Sequence, residues 1–367
     1  MRVLVVNAGS SSLKLTLLDG ADATIATREL DAPRARVDPD ALSEALGAGL
    51  GDADAVGHRI VHGGERFREA VALDAGVAEQ LRALVDLAPL HQPKSLAALD
   101  AVSAALPGVP AVACFDTAFH ATLPAPAATY ALPAAWRERW RLRRYGFHGL
   151  SHAWVARRAP ELLARAPAAL RIVSAHLGAG ASLCAIRDGR SLDTTMGFTP
   201  LEGLVMATRS GSVDPGLLLW LLERGRLSQE ELADGLERRS GLLGLAGTAD
   251  MRELLERAAG GERRAGLALD VYTHRLRGGI AAMAAALGGL DVLVFTGGVG
   301  ERAPAVRARA AAGLDFLGVA LDAGLNERAR GEQPIGADRA PVQTLVLPAR
   351  EDLEIARQVR AVLARRP

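Results

Sequence analysis

With 367 residues, 49% apolar side chains, 23% charged ones and a formal net charge of +1, the chain can bury a sizeable core in two or three domains. It carries no charge excess and no basic block interleaved with aromatics, which argues against a nucleic-acid partner, and no apolar run reaches transmembrane length. Its two cysteines, Cys114 and Cys184, lack metal-ligand spacing and read as buried free thiols, so with no signal peptide ahead of the first strand the expectation is a cytoplasmic enzyme or binding protein.

The opening apolar run, residues 3–6, stops at Asn7, and a small-residue loop Ala8-Gly9-Ser10-Ser11-Ser12 follows. Residues 13–18 form a second strand-like run, with Lys14 inside it and Asp19-Gly20 closing it. Strand, Gly/Ser loop and strand can present N–H groups, hydroxyls and one ammonium to a phosphate; a plain hairpin with a serine-rich turn is the other reading. The spacing of a Walker A loop is absent. Among 43 basic residues only Lys14 and Lys94 are lysines, and a lysine kept beside such a loop points toward the phosphate reading. The 41 arginines are spread through helical stretches and read mostly as solvated faces.

Residues 22–50 carry Asp/Pro turn signals and then a short helix over about 40–46. In the strand 55–61 Arg59 interrupts an apolar run, and a charge there needs either an ion-pair partner or an anionic ligand. Helices are expected over 75–87 and 94–106, with His91 on a short loop between Pro89 and Pro93. The strand 109–115 ends at Asp116, where open α/β sheets place ligand groups, although an Asp there also caps turns. Residues 121–135, rich in Ala and Pro, read as an inter-domain crossing. The segment 144–152, RYGFHGLSH, concentrates two His, two Gly and two aromatics ahead of a helix that Ser151 could cap.

Residues 171–189 repeat the opening pattern: without gaps, Ile172 falls on Val3, His176 on Asn7, Gly178 on Gly9, and Asp188-Gly189 on Asp19-Gly20. Two such units suggest a duplicated fold, each half offering a phosphate loop. A Gly/Thr/Ser-rich loop, 191–216, follows with one basic residue, Arg209, which suits anion binding. Helices are expected over 215–224 and 228–237, the second opening with the capping box Ser228-x-x-Glu231, then at Asp250 and over 264–287. The strand 291–295 opens into Thr296-Gly297-Gly298-Val299-Gly300-Glu301-Arg302, whose glycines permit close approach to a nucleotide or simply make a tight turn. A strand over 343–347 and an amphipathic helix over 352–365 complete the chain.

In this order, the stretches 7–14, 57–64, 87–93, 115–120, 144–152, 176–182, 196–215, 295–301 and 351–357 closely resemble the acetate kinase family. The resemblance implies an α/β fold of duplicated ribonuclease-H-like domains, of the actin, sugar kinase and heat-shock ATPase type, flanking a catalytic cleft. It divides the chain into 1–119 plus 352–367, a first domain completed by the last helix, and 120–351, a nucleotide-binding and dimerisation domain. It implies a homodimer and the reversible reaction of acetate and ATP to acetyl phosphate and ADP with Mg²⁺, Mn²⁺ being the other candidate ion. Carried over by motif, Arg59 and Arg209 hold the carboxylate and the phosphoryl group, His148 hydrogen-bonds the phosphoryl in flight, His91 and Asp116 complete the catalytic set, and Val61, Leu90, Phe147 and Pro200 form the methyl pocket. Asn7 and Glu351 match the magnesium site. Ser10, Ser12, Lys14, His176, Leu177, Gly178, Ala179 and Gly180 line the phosphate path, and Asp250, Met251, Arg252, Gly298, Val299, Gly300 and Arg302 the adenosine site.

Four positions depart from the family's pattern: Ala179 and Arg302 each stand for Asn, Gln92 for Asn and Ser212 for Asp. The first two bear on the nucleotide and leave pyrophosphate open as donor. A propionate-preferring or other short-chain acyl kinase is a near alternative. An actin-like ATPase switch belongs to a different class, disfavoured by the paired arginines, and a catalytically degenerate paralogue is a fourth reading.

Overall fold

The computed structural model of the chain describes residues 1–9, 12–31, 38–89 and 91–365. The chain divides into two compact units, residues 1–121, 147–154 and 350–367 in the first and 122–146 and 155–349 in the second.

The sheet of the first unit is built from β1 (Val3–Ala8), β2 (Ser12–Leu18), β3 (Thr24–Asp31), β4 (Ala55–Ile60), β5 (Val71–Ala72) and β6 (Ala111–Phe115), in the order β3-β2-β1-β4-β6-β5. β1, β2 and β3 form an antiparallel meander, β1, β4 and β6 are parallel, and β5 runs antiparallel on the far edge. The second unit contains β7 (Arg171–Leu177), β8 (Ala181–Arg187), β9 (Arg190–Thr194), β10 (Val292–Thr296), β11 (Gln333–Pro334) and β12 (Gln343–Val346). Its order from the opposite edge is β9-β8-β7-β10-β12-β11, with the same senses strand for strand. The duplication expected from the sequence is therefore a topological identity, β7 and β8 standing where β1 and β2 stand.

The period of two along a strand decides which residues face which layer. Leu4, Val6, Leu13, Leu15 and Leu17 turn to one side of the first sheet and pack with Leu42, Leu46 and Leu50 and with Ala98 and Val102 of the helix Gln92–Ala105. Val3, Val5, Ala55, Val112 and Cys114 turn to the other side and are covered by Ile355, Ala356 and Val359 of the helix Glu351–Leu363. That helix lies so close that a Cβ on Gly57 would stand 2.5 Å from Ile355 and 2.8 Å from Val359, which explains a glycine in mid-strand. In the second unit the 25-residue helix Arg263–Leu287 buries Ala268, Tyr272, Leu276, Ile280 and Met283.

Several boundaries differ from the sequence reading. Residues 24–31 form β3 rather than turns alone, because an edge strand exposed over most of its length shows no apolar alternation. Residues 190–194 are β9, so the irregular segment starts later than expected. The stretch read as an aperiodic crossing holds the short helix Ala125–Ala128, and another helix, Ala134–Trp140, begins at its end. Ser151 lies inside the helix Gly149–Leu162 rather than capping it. Both cysteines are buried free thiols, and the capping box at Ser228 is formed in both directions. Among the described residues no helix is long and apolar enough to cross a membrane.

Candidate active site

The strand period that builds the core of the first unit also builds its polar end. Following Val3 and Val5, Ala55 and Gly57, and Val112 and Cys114 along the same face of three parallel strands, the next same-face positions are Asn7, Arg59 and Asp116. All three lie at the carboxyl ends of their strands, where the first residue of the covering helix, Glu351, joins them.

Arg59 donates from Nε to both oxygens of Asp116 (3.0 and 3.2 Å), from Nη2 to Asp116 Oδ2 (2.7 Å) and from Nη1 to Asn7 Oδ1 (3.0 Å). Its Nη1 stands 3.7 Å from Glu351 Oε2, and Asn7 Nδ2 donates to the same oxygen at 3.4 Å. The Asp116 side chain is 2% exposed and that of Arg59 17%, so the pair is held with little solvent. Burial works against the charge on Arg59, but the carboxylates of Asp116 and Glu351 and the Asp116 hydrogen bonds outweigh it and hold the pKa above its ordinary value. The ion-pair partner and the anion site, alternatives in the sequence, are thus compatible: Asp116 orients a cation that still presents N–H groups.

The turn after β4 is fixed by groups whose role the sequence does not reveal. Gln92, fully buried, accepts from His62 N and donates to His62 O, both at 3.1 Å. Thr117 Oγ1 accepts from Gly63 N at 3.0 Å, and His62 Nδ1 accepts from Gly64 N at 2.9 Å. A Cβ on Gly63 would stand 2.5 Å from Phe67 O. Phe147 is buried with its ring edge-on to His62 at 5.5 Å, and Val61 is half-buried. His148, the next residue, takes φ +56°, a left-handed conformation uncommon for a side chain of that size. His91 is the N-cap residue of the helix Gln92–Ala105. Lys14 is exposed and pairs across the hairpin with Asn7, while Ser12 Oγ donates to Glu29 at 2.7 Å. Ser10 and Leu90 lie outside the described residues.

The second unit contains a cavity of about 580 Å³. Its lining includes Gly178, Ala179, Asp250, Met251, Arg252, Gly298, Val299 and Arg302, eight of the nucleotide-side residues named from sequence. His176, Leu177, Gly180 and Gly300 are outside that lining. Ala207, Leu242, Ala249, Leu255, Tyr272 and Ala303 complete the wall and carry no sequence signal beyond ordinary helix and loop positions. The loops are locked: Gly178 N donates to Gly180 O (2.9 Å), and Ala207 N to Ala179 O (3.1 Å). Gly297 has φ +77° and a Cβ there would meet Leu177 O at 2.7 Å, whereas one on Gly298 would meet nothing within 4 Å. Asp250 is held below its usual range by hydrogen bonds from Arg252 (Nη2 to Oδ2, 3.0 Å; N to Oδ1, 2.7 Å).

Arg209 sits in the irregular segment before the helix Pro215–Leu222 and donates from Nη1 to Pro200 O at 2.6 Å. Ser212 Oγ accepts from Gly203 N at 3.0 Å, and Ser212 N donates to Gly203 O at 2.9 Å, so the departure from Asp at this position supplies a loop tie. Burial pulls the pKa of Arg209 down and Glu237 only partly restores it, so this guanidinium, unlike Arg59, carries a charge poorly balanced by its own protein. The glycine loops beside the cavity of the second unit suit a phosphorylated ligand, and the oriented arginine of the first unit suits an anion.

Solved structures agree. The chain superposes on an acetate kinase from Porphyromonas gingivalis with TM-score 0.90 at 37% identity, over 99% of both chains. It superposes on a propionate kinase from Francisella tularensis with TM-score 0.91 at 34% identity, over 98% of this chain and 99% of the other. Fold and matches together define a kinase of the duplicated ribonuclease-H-like, actin-type class. The acetokinase family model matches residues 39–357. Acetate kinases from Leifsonia xyli (47% identical, 99% of both chains) and Dictyoglomus thermophilum (41% identical, 100% of both) align end to end. The chain belongs to the acetokinase family.

Proposed function

We propose that the chain catalyses reversible, magnesium-dependent phosphoryl transfer between ATP and acetate, giving acetyl phosphate and ADP, with a carboxyl group as acceptor. The observation that carries this reading is the Asn7–Arg59–Asp116–Glu351 cluster: a guanidinium oriented by a buried carboxylate at the carboxyl ends of parallel strands, still 17% exposed, whose donor chemistry suits a small carboxylate. A carboxylate oxygen of acetate attacks the γ-phosphorus in line, the new O–P bond forms as the bond to the β-phosphate oxygen breaks, and ADP leaves. Acetate is ionised at neutral pH, so the reaction requires no general base. Arg59 and Arg209 reduce the repulsion between two approaching anions, Arg209 being the less compensated of the two. His148 donates to the phosphoryl group in transit, and Asp116 and His91 complete the set. Lys14, Ser12, Ser10 and the loop His176–Gly180 serve the phosphates. Val61, Leu90, Phe147 and Pro200 take the methyl group; such a pocket discriminates by roughly 1–3 kcal/mol per methylene, so propionate is a poorer substrate.

Asn7 and Glu351 would hold a magnesium ion: their side chains are neighbours and each carries the hard oxygen that Mg²⁺ prefers, the Asn7 oxygen being turned here toward Arg59. Among the described residues no group of three or more His, Cys, Asp or Glu could hold a metal alone, consistent with an ion that arrives with the nucleotide. When bound it supplies charge neutralisation on the nucleotide phosphates.

In this reading the chain has domains 1–119 plus 352–367 and 120–351 within a cytoplasmic homodimer, although residues 147–154 cluster with the first unit. A dimer is supported by the helix Pro215–Leu222, which is apolar throughout yet buries none of its side chains: Leu217, Leu219, Trp220 and Leu222 are 38–64% exposed.

The test is a turnover assay with Mg-ATP and acetate, trapping acetyl phosphate as the hydroxamate, with pyrophosphate and propionate in parallel. Product from ATP and acetate supports the assignment. Product from pyrophosphate alone replaces the donor, and ATP hydrolysis without acyl phosphate overturns the reading in favour of a nucleotide switch.

A further inference from the structure

Arg302 is the group in the nucleotide cavity that the reaction leaves unexplained. The wall is otherwise mostly apolar or glycine, from Ala179, Ala207, Leu242, Met251, Leu255 and Val299. The other cation, Arg252, is spent on Asp250 through bonds from N, Nε and Nη2. Arg302, at the end of the helix Gly297–Arg302, is exposed and makes no hydrogen bond or ion pair among the described residues. A guanidinium has five donors and no acceptor, arranged as a rigid fork. The cavity also has room next to it, since nothing occupies the space beside Gly298.

A donor fork distinguishes purines. Guanine presents two adjacent acceptors, O6 and N7, and pairs with it bidentately. Adenine presents one acceptor, N7, beside the N6 amino donor, so one arm of the fork would face another donor. We propose that Arg302 makes this cavity accept guanine, so that the chain binds guanine nucleotides comparably to adenine nucleotides, within about fivefold. This rests on the nucleotide reading of the cavity given above and adds the identity of the base to it. The fork, rather than the charge alone, is the determinant.

Equilibrium binding of ADP and GDP to the full-length protein, with Mg²⁺, tests this in the native chain, Arg302→Asn and Arg302→Lys, alongside turnover with ATP and GTP. The native protein is expected to bind GDP no more than about fivefold more weakly than ADP, and both variants to lose about tenfold or more in the GDP-to-ADP affinity ratio, the scale of one bidentate pair. A contact from Arg302 to the phosphates would change both affinities together and leave the ratio fixed, which would overturn the proposal. So would retention of the native ratio by Arg302→Lys, or a native preference for ADP beyond fivefold. If neither diphosphate binds, the nucleotide reading of the cavity fails and the proposal falls with it. If the ratio shifts as expected but no acyl phosphate forms, the base assignment stands and only the reaction is wrong.

Discussion

Lowering the pH from 7 to 5 should cost the folded chain about 2 kcal/mol through one side chain, His58. His58 lies on β4, is 1% exposed, and neither of its ring nitrogens has a hydrogen-bond partner among the described residues. Burial lowers its pKa from 6.5 to about 4, because the imidazolium would have to sit in the core without water or a counter-ion. Between those two values the unfolded chain binds the proton and the folded chain does not. Stability on this account is therefore complete above pH 6.5, declines as the pH falls, and levels off below pH 4 after a total loss of about 3 kcal/mol. The assay is urea unfolding at pH 7, 6 and 5, comparing the native protein with His58→Leu, which keeps the volume and cannot titrate. All other acid-sensitive groups cancel in the difference. The native protein should lose about 2 kcal/mol more than the variant across that span. Equal pH slopes for the two proteins would refute the reasoning.

Arg209→Ala should lower kcat by about a hundredfold or more while far-UV circular dichroism stays native, as removal of a single transition-state charge does elsewhere; near-native turnover would remove Arg209 from the mechanism. Arg307→Met should destabilise the chain by about 3–5 kcal/mol in urea unfolding, since the fully buried guanidinium donates to Asn326 Oδ1, Asn326 O, Gly300 O and Glu301 O and these acceptors would be left unpaired. Burial already pulls the Arg307 pKa down to about 10, with Glu327 opposing and Arg330 adding to the shift, so a gain in stability on removing the charge would show that desolvation outweighs those four bonds. Leu219→Glu should shift the chain from dimer to monomer in analytical ultracentrifugation at micromolar concentration; an unchanged mass would place the interface elsewhere.

The sequence shows the site better than it shows the scaffold around it. The strand ends at Asn7, Arg59 and Asp116 are legible because a polar residue interrupting an apolar run stands out, and the structure brings those residues within hydrogen-bond reach of one another. The loops at Gly178 and Gly298 are legible because small residues after a strand have few other uses, and they meet in one cavity. Arg307 is not legible: among 41 arginines it looks like any helix-surface residue, and only three-dimensional closure shows it fully buried. Gln92 and Thr117 are equally silent, since ties to a turn 30 and 54 residues away leave no local pattern. The edge strand β3 is hidden for the opposite reason, having too little burial to produce a hydrophobic period.

The covering of the first sheet by the helix Glu351–Leu363 has a consequence for synthesis. The strands β1, β4 and β6 leave the ribosome early, but the side chains that cover one of their faces, Ile355, Ala356 and Val359, are made more than 200 residues later. At 5–20 residues per second, Val3, Val5, Val112 and Cys114 wait roughly ten to fifty seconds with no native cover. The second unit does not close much sooner, since its strand β12 (Gln343–Val346) is made only about ten residues before Ile355, roughly one or two seconds earlier. The nascent chain thus completes both cores late and almost together, and a chaperone that shields apolar sheet faces would find its substrate in the earlier-made sheet.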